Sequence, residues 1–293
     1  IFTNLFIGIS LGANVLAARF FAAGKDKEMS ETVHTAITLA LVSGVIMAFV
    51  GLLFSRGALE LMDTPEDVIG QSALYMKIYF LGMPFFMLYN YGAAILRAVG
   101  DTKRPLIFLI ISSVINVILD VLFMGPLHLG IQGAASATIL AQAISVVLCL
   151  FYIIKNYPQL RPNHSDLHVP FTFILDMFLT GMSMALMNAI FSIGSVILQS
   201  SINALGNVYI AAQVGGRRLA KLFMMPGTAL ASSAATFSSQ NYGAEKRSRI
   251  WGGVKVAFGL YLIWWLIAVT FSVFVAPYAV RLITGSNNPT VID

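Results

Sequence analysis

The chain has 293 residues, 58% of them hydrophobic and 11% charged, with a net charge of +5, a mean hydropathy of +0.82 and a single cysteine, Cys149. Soluble domains run near 45–50% apolar and about 25% charged, so this composition excludes a cytosolic enzyme, a disordered tail and a nucleic-acid binder, and the lone cysteine excludes a disulfide scaffold. The bilayer is the solvent that fits it.

A membrane helix needs about 20 apolar residues. Eight predicted spans follow in chain order: 1–23, 33–54, 73–96, 105–125, 131–155, 170–203, 207–240 and 250–276. The first opens at Ile1 with no charge before Arg19, which fits neither a signal peptide nor a natural terminus, so a fragment is expected. Its Gly8-Ile9-Ser10-Leu11-Gly12 matches a serine-hydrolase pattern, but inside a helix Gly8 and Gly12 serve better as a GxxxG packing face.

Between spans the connections carry cap chemistry. Asp63-Thr64-Pro65-Glu66-Asp67 places acids at a helix start, and Gly100 to Pro105 joins a helix-stopping glycine to a proline near the next start. Residues 156–169 hold Pro158, Pro162 and two histidines and read as a cytoplasmic linker between an amino-terminal lobe, 1–155, and a carboxy-terminal lobe, 170–293. His164 and His168 lack organised acids or cysteines, so no metal site is expected there. The seventh span is too long for one straight crossing and is expected to tilt, to kink near Gly215, Gly216 or Pro226, or to begin outside the hydrocarbon.

Ten Lys and Arg fall on loops 24–32, 97–104, 155–169 and 241–249, against Arg56 and Arg281 on the other side. This asymmetry makes the basic loops cytoplasmic. The triplet Asn163-His164-Ser165 then lies on the wrong side for glycosylation.

Residues 2–62 and 223–283 share a span order at an offset of 221 residues, with Phe21-Ala22-Ala23-Gly24-Lys25 matched by Tyr242-Gly243-Ala244-Glu245-Lys246. Six spans lie within the offset, so the halves are parallel repeats about an axis along the membrane normal. The repeat implies about 50 further residues with one span before Ile1, and about 90 with three spans after Asp293. The expected fold is an all-α polytopic membrane protein of two six-helix lobes, truncated here to about eight helices.

Polar residues inside spans are functional candidates, because a charge at a helix centre costs about 2.5–3.5 kcal/mol on insertion scales. Asn116 and Asp120 are one turn apart in the fourth span, among Val114, Ile115, Val117, Ile118, Leu119 and Val121. Desolvation disfavours a bare carboxylate there, which points to a cation or proton site, or else to an interhelical hydrogen bond. Thr138 and Gln142, i and i+4 in the next span, can complete an oxygen cluster with Asp120 or act as packing glue. Arg217, Arg218 and Lys221 read as snorkelling cations or as the wall of a watery cleft. Lys77 and Lys255 read as snorkellers, and Asp176 as an acid at a helix start. With no Walker A loop, direct ATP drive is not expected.

Tyr91 to Pro105 (YGAAILRAVGDTKRP), Asn116 with Asp120, Gly133 to Thr138 (GAASAT), Gln199 to Gly206 (QSSINALG) and Gln240 to Ala244 (QNYGA) together resemble the multidrug and toxic compound extrusion (MATE) family, from its second helix to the loop after its ninth. The resemblance implies a multi-pass protein of the cell membrane, not an enzyme. It would export drugs or organic compounds, often cationic, in exchange for H+ or Na+ by alternating access. It implies no cofactor, no metal beyond a Na+ at Asp120, Asn116 and Thr138, no nucleic-acid partner and a monomer. These three residues match an amino-lobe cation site. Phe191 stands where another branch places a glutamate, which argues against a carboxy-lobe site. Gln142, Gln199, Asn203, Gln213, Arg217 and Arg218 are candidate cleft residues. A lipid-linked saccharide flippase, which wants cations along its cleft, and a receptor or scaffold remain the alternatives.

Overall fold

The computed structural model describes residues 2–60, 66–160, 171–203, 207–275 and 278. Nine α-helices follow among them: α1 (Phe2–Ala22), α2 (Asp26–Glu60), α3 (Glu66–Leu81), α4 (Met83–Ala98), α5 (Lys103–Met124), α6 (Gly130–Asn156), α7 (Phe171–Asn203), α8 (Asn207–Gly243) and α9 (Arg247–Phe274), with a short 3-10 turn at Pro158–Leu160. No strand occurs among the described residues. This all-helical outcome follows from the solvent, since hydrocarbon offers backbone N–H and C=O groups no partners outside their own helix.

By length and hydropathy α2, α5, α6 and α9 qualify as membrane spans, and α3 with α4 qualifies as a pair bent by 45° at the break between them. The predicted span 73–96 falls on this pair, and the structure adds the break. Gly82 donates its N–H to Tyr79 O at 3.0 Å, an i to i−3 bond that tightens the turn, and Pro84 in the first turn of α4 has no N–H to continue the ladder. A side chain at Gly82 would come within 2.7 Å of Ile139, so α6 packs into the bend. Helix α2 starts at Asp26 rather than residue 33, because Asp26 and Glu28 suit its positive end and Lys25 pairs with Glu28 at 3.3 Å. Helix α8 runs 37 residues without interruption, with Pro226 inside it.

Contacts divide the chain into two compact units, Phe2–Leu186 and Met187–Asp293, with the division inside α7. In the first, α2, α4 and α6 bury Met29, Met47, Met83, Met87, Tyr91, Ile95 and Cys149. Helix α1 packs by its glycines, as the GxxxG spacing predicts: a Cβ at Gly8 would lie 2.6 Å from Ala185 Cα, and one at Gly12 would lie 2.5 Å from Met177 O. The expected linker 156–169 is described only as far as Leu160, which is fully buried beside α2. In the second unit α8 and α9 form an antiparallel hairpin.

At the predicted offset of 221 residues the helix ends share their hydrogen bonds. Ala23, Gly24 and Lys25 donate to the carbonyls of Arg19, Phe21 and Phe20, and Ala244, Glu245 and Lys246 donate to those of Gln240, Tyr242 and Asn241. Both endings need a left-handed residue, Gly24 at φ 66° and Glu245 at φ 59°. An L side chain there costs about 1–2 kcal/mol. Glu245→Gly is therefore expected to stabilise the protein by about 1 kcal/mol, read as a higher midpoint in thermal unfolding; an unchanged or lower midpoint would show that Glu245 makes a compensating contact.

The loop assignment yields a second expected result. Thr102 and Lys246 are exposed in turns, while Cys149 is buried and contributes no background. Thr102→Cys and Lys246→Cys should react with membrane-impermeant thiol reagents only from the cytoplasmic side, and labelling of either from outside would reverse the topology.

Candidate functional site

Helix α5 has two faces. Val114, Val117, Ile118 and Val121 are exposed, whereas Ser112 is buried and Ile115, Asn116, Leu119, Asp120 and Phe123 are half-buried. The 3–4 spacing of the second set is the inner stripe of an amphipathic helix, so Asn116 and Asp120 turn away from the lipid-facing side. Ser112 Oγ donates to Ala141 O at 2.7 Å, and Phe123 Cβ would lie 2.9 Å from a Cβ at Gly133, which fixes the antiparallel register of α5 on α6. Interpolating between those contacts brings Asn116 level with Thr138 and Asp120 level with Ala135.

The polar atoms of this stripe lack partners. Asn116 Nδ2, Asp120 Oδ1 and, on α6, Gln142 Oε1 are buried without a hydrogen bond. Such groups are rare, and each points to a missing ligand, water or functional state. Thr138 is different: its hydroxyl donates to Ala134 O at 3.0 Å within its own helix, which leaves the oxygen lone pairs free to accept. Thr138 and Gln142 also line a cavity of about 40 Å3 with Tyr79, Gly82, Met83, Phe86 and Ile139, at the α3–α4 bend. That volume admits water. Asp120 Oδ1 and Gln142 Oε1 are free acceptors inside the spans, and an acceptor of this kind can take a small cation or a proton. No group of three or more His, Cys, Asp or Glu with metal-site geometry occurs among the described residues.

Other predicted residues are scattered. In the second unit, Gln199 is half-buried, Phe191 is exposed and Arg217 and Arg218 are exposed; Gln213 is half-buried with both amide atoms unpartnered. The side chain of Asn203, and His164, His168 and Asn163, lie outside the described residues, as do Asp63 to Pro65 and Arg281. Asp176, Lys77 and Lys255 are exposed, in keeping with their structural readings.

Polar contacts at two places are not legible in the sequence. Asn14 Nδ2 donates to Ala94 O at 2.8 Å and ties α1 to α4. At the basic end, Tyr152 and Tyr157 donate to Asp101 Oδ2 at 3.1 and 3.3 Å, and the Arg104 guanidinium lies 5.1 Å above the Tyr152 ring. Burial, and then the neighbouring Asp101 carboxylate, push Tyr157 up to about 12, so it stays a proton donor at neutral pH. The clamp holds the α4–α5 turn to the end of α6. Polar residues among small or aromatic ones marked both places, but their partners lie 80, 51 and 56 residues away.

This bundle, with unpartnered acid and amide groups facing inward from an apolar helix, defines a multi-pass helical membrane protein with a buried polar site. The chain belongs to the MatE family, whose profile matches residues 1–122 and 183–292, and it is accordingly a protein of the plasma membrane. It is 29% identical over 276 residues to a probable multidrug resistance protein, YoeA, of Bacillus subtilis, covering 92% of this chain and 60% of that protein. It is 24% identical to an FAD transporter of Shewanella oneidensis, covering 100% of this chain and 65% of the relative. An outward-facing multidrug resistance MATE transporter of known structure superposes with a TM-score of 0.89 at 21% identity, over 99% of this chain and 65% of that one. The chain thus spans under two thirds of the length of these relatives.

Proposed function

We propose that the protein is a secondary antiporter that exports drugs or other organic compounds in exchange for inward H+ or Na+, by alternating access of two lobes, 1–155 and 170–293. Asp120 carries the coupling ion, with Asn116 and Thr138 as neutral oxygen ligands and Gln142 beside them. The observation that carries this reading is Asp120 Oδ1, a carboxylate oxygen buried without a hydrogen bond on the inner stripe of α5, with the Asn116 amide one turn away. A carboxylate oxygen without a partner leaves an acceptor open for a cation or proton. An ion couples to transport only if it binds one conformation better than the other. The names of relatives, a probable multidrug resistance protein and an FAD transporter, support the transport of organic compounds. Counter-flow in proteoliposomes of the full-length protein, with and without a proton or sodium gradient, tests the reading. Transport that ignores both gradients would overturn it.

A further inference from the structure

Helix α8 presents a hydrophilic face with a cationic end. Its contact with α9 runs through Phe223, Gly227 and Phe237: Trp264 Nε1 donates to Phe223 O at 2.9 Å, and Cβ atoms built at Gly227 and Gly253 would meet Tyr261 and Phe237 at 2.8 and 2.3 Å. At roughly 100° per residue, Arg217, Lys221 and Arg218 fall about 120°, 160° and 220° around the helix from the middle of that seam. They therefore lie on the side of α8 turned away from α9. Thr228, Ser232 and Ser239 continue the same side, at about 140–180°. Met225 interrupts this side, Val214 stands on it just before Arg217, and Leu222 and Met224 border it, all four exposed.

This pattern separates two readings of the cations. A snorkelling Arg or Lys emerges from an apolar, lipid-facing surface, whereas this surface is lined with hydroxyls. Extending the α8–α9 seam places the cations level with about residues 266–270 of α9, an apolar stretch from Leu266 to Val269 followed by Thr270. Charged groups beside such a stretch usually face a bundle interior or a water-filled cavity rather than lipid.

None of the three cations makes an ion pair among the described residues. Glu245 is the one acid between residues 187 and 275, and it lies about 36 Å along the helix from Lys221, several screening lengths away. Gln213, one turn from Arg217, has both amide atoms buried and unpartnered, so a donor and an acceptor stand ready beside the cations.

We propose that this face of α8 binds the anionic group of a water-soluble organic phosphate, and that such a compound is a cargo of the transporter; the assignment deepens the export reading and rests on it. Two guanidiniums and an ammonium within five residues match a phosphate dianion, which takes paired N–H donors from arginine. The hydroxyl-lined continuation suits a hydrophilic cargo.

The test uses the full-length protein in nanodiscs and equilibrium binding of three probes: AMP, its uncharged nucleoside adenosine, and tetraphenylphosphonium. AMP should bind at least tenfold more tightly than adenosine or tetraphenylphosphonium, and more weakly as salt rises. Arg217→Gln combined with Lys221→Gln should lower AMP affinity at least tenfold, and Arg217→Lys alone, which keeps the charge but loses the paired N–H donors, should fall between that variant and the wild type. Thermal unfolding of each variant separates lost binding from lost fold. Equal binding of AMP and adenosine, or an unaltered affinity in the doubly substituted protein, overturns the proposal. So does loss of AMP binding when phosphatidic acid is added to the nanodisc lipid, since the occupant would then be a lipid headgroup. If AMP fails to bind while Asp120→Asn still removes gradient dependence, the export reading stands and the anion assignment falls.

Discussion

Asp120→Asn should reduce gradient-driven export by the full-length protein to the level of protein-free liposomes while leaving the fold intact. The carboxylate sits on the inner stripe of α5 with Oδ1 buried and unpartnered. A coupling ion held there would favour the conformation in which it binds better. The amide keeps the shape and fixes the neutral state, so the difference between loaded and empty forms disappears and with it the coupling. Thermal stability should stay within about 1 kcal/mol or rise, because a neutral group is easier to bury than an unpaired charge. Asn116→Ala and Thr138→Ala remove neutral ligands, and Thr138 already satisfies its own donor on Ala134. Each should weaken ion binding by about tenfold, the order of one lost hydrogen-bonding ligand. Export by Asp120→Asn protein at the wild-type rate under the same gradient would make the carboxylate structural and end the coupling assignment.

Gly12→Val should destabilise the protein by about 3 kcal/mol, at the upper end of overpacking effects. A Cβ at Gly12 would stand 2.5 Å from Met177 O and 2.7 Å from Gly181 N, and both are backbone atoms that no rotamer change can move aside. α1 and α7 would have to separate, and the packing of Gly8 on Ala185 one turn away would loosen with them. Gly57 supplies the contrast: it lies in α2 with nothing within 4 Å of its missing Cβ, so Gly57→Ala should be neutral or stabilise by about 0.5–1 kcal/mol through helix propensity. Melting midpoints of the two variants check this directly. Similar midpoints for both would show that α1 does not pack on α7 through its glycines.

An acid and an amide one turn apart in an apolar run mark Asn116 and Asp120 as candidates from sequence, and both fall on the inner stripe of α5. The break at Gly82 is not marked in this way, because Leu81-Gly82-Met83 interrupts neither the hydropathy nor the length of the stretch. The bend depends on Ile139 filling the space where a Gly82 side chain would be, a contact with a residue 57 positions away. The Asp101 clamp was illegible for the same reason. Its tyrosines belong to the far end of α6, and nothing local to Gly100-Asp101-Thr102 marks them as partners.

What the sequence determined by itself is where helices form and which stretches stay in water. Both are one-dimensional consequences of a solvent that cannot pair with backbone groups or charges, so apolar runs become helices and Lys and Arg collect in loops. What only the tertiary structure decided is which way each helix faces and what it touches. Asp120 became an inward, unpartnered group when α5 docked on α6 with Ser112 on Ala141, and Arg217 and Lys221 came to share a hydrophilic side with Ser232 when Phe223 and Gly227 docked on α9. Helix rotation is set by packing between residues distant in sequence, and every face of an apolar helix is equally soluble in lipid until a neighbour claims one.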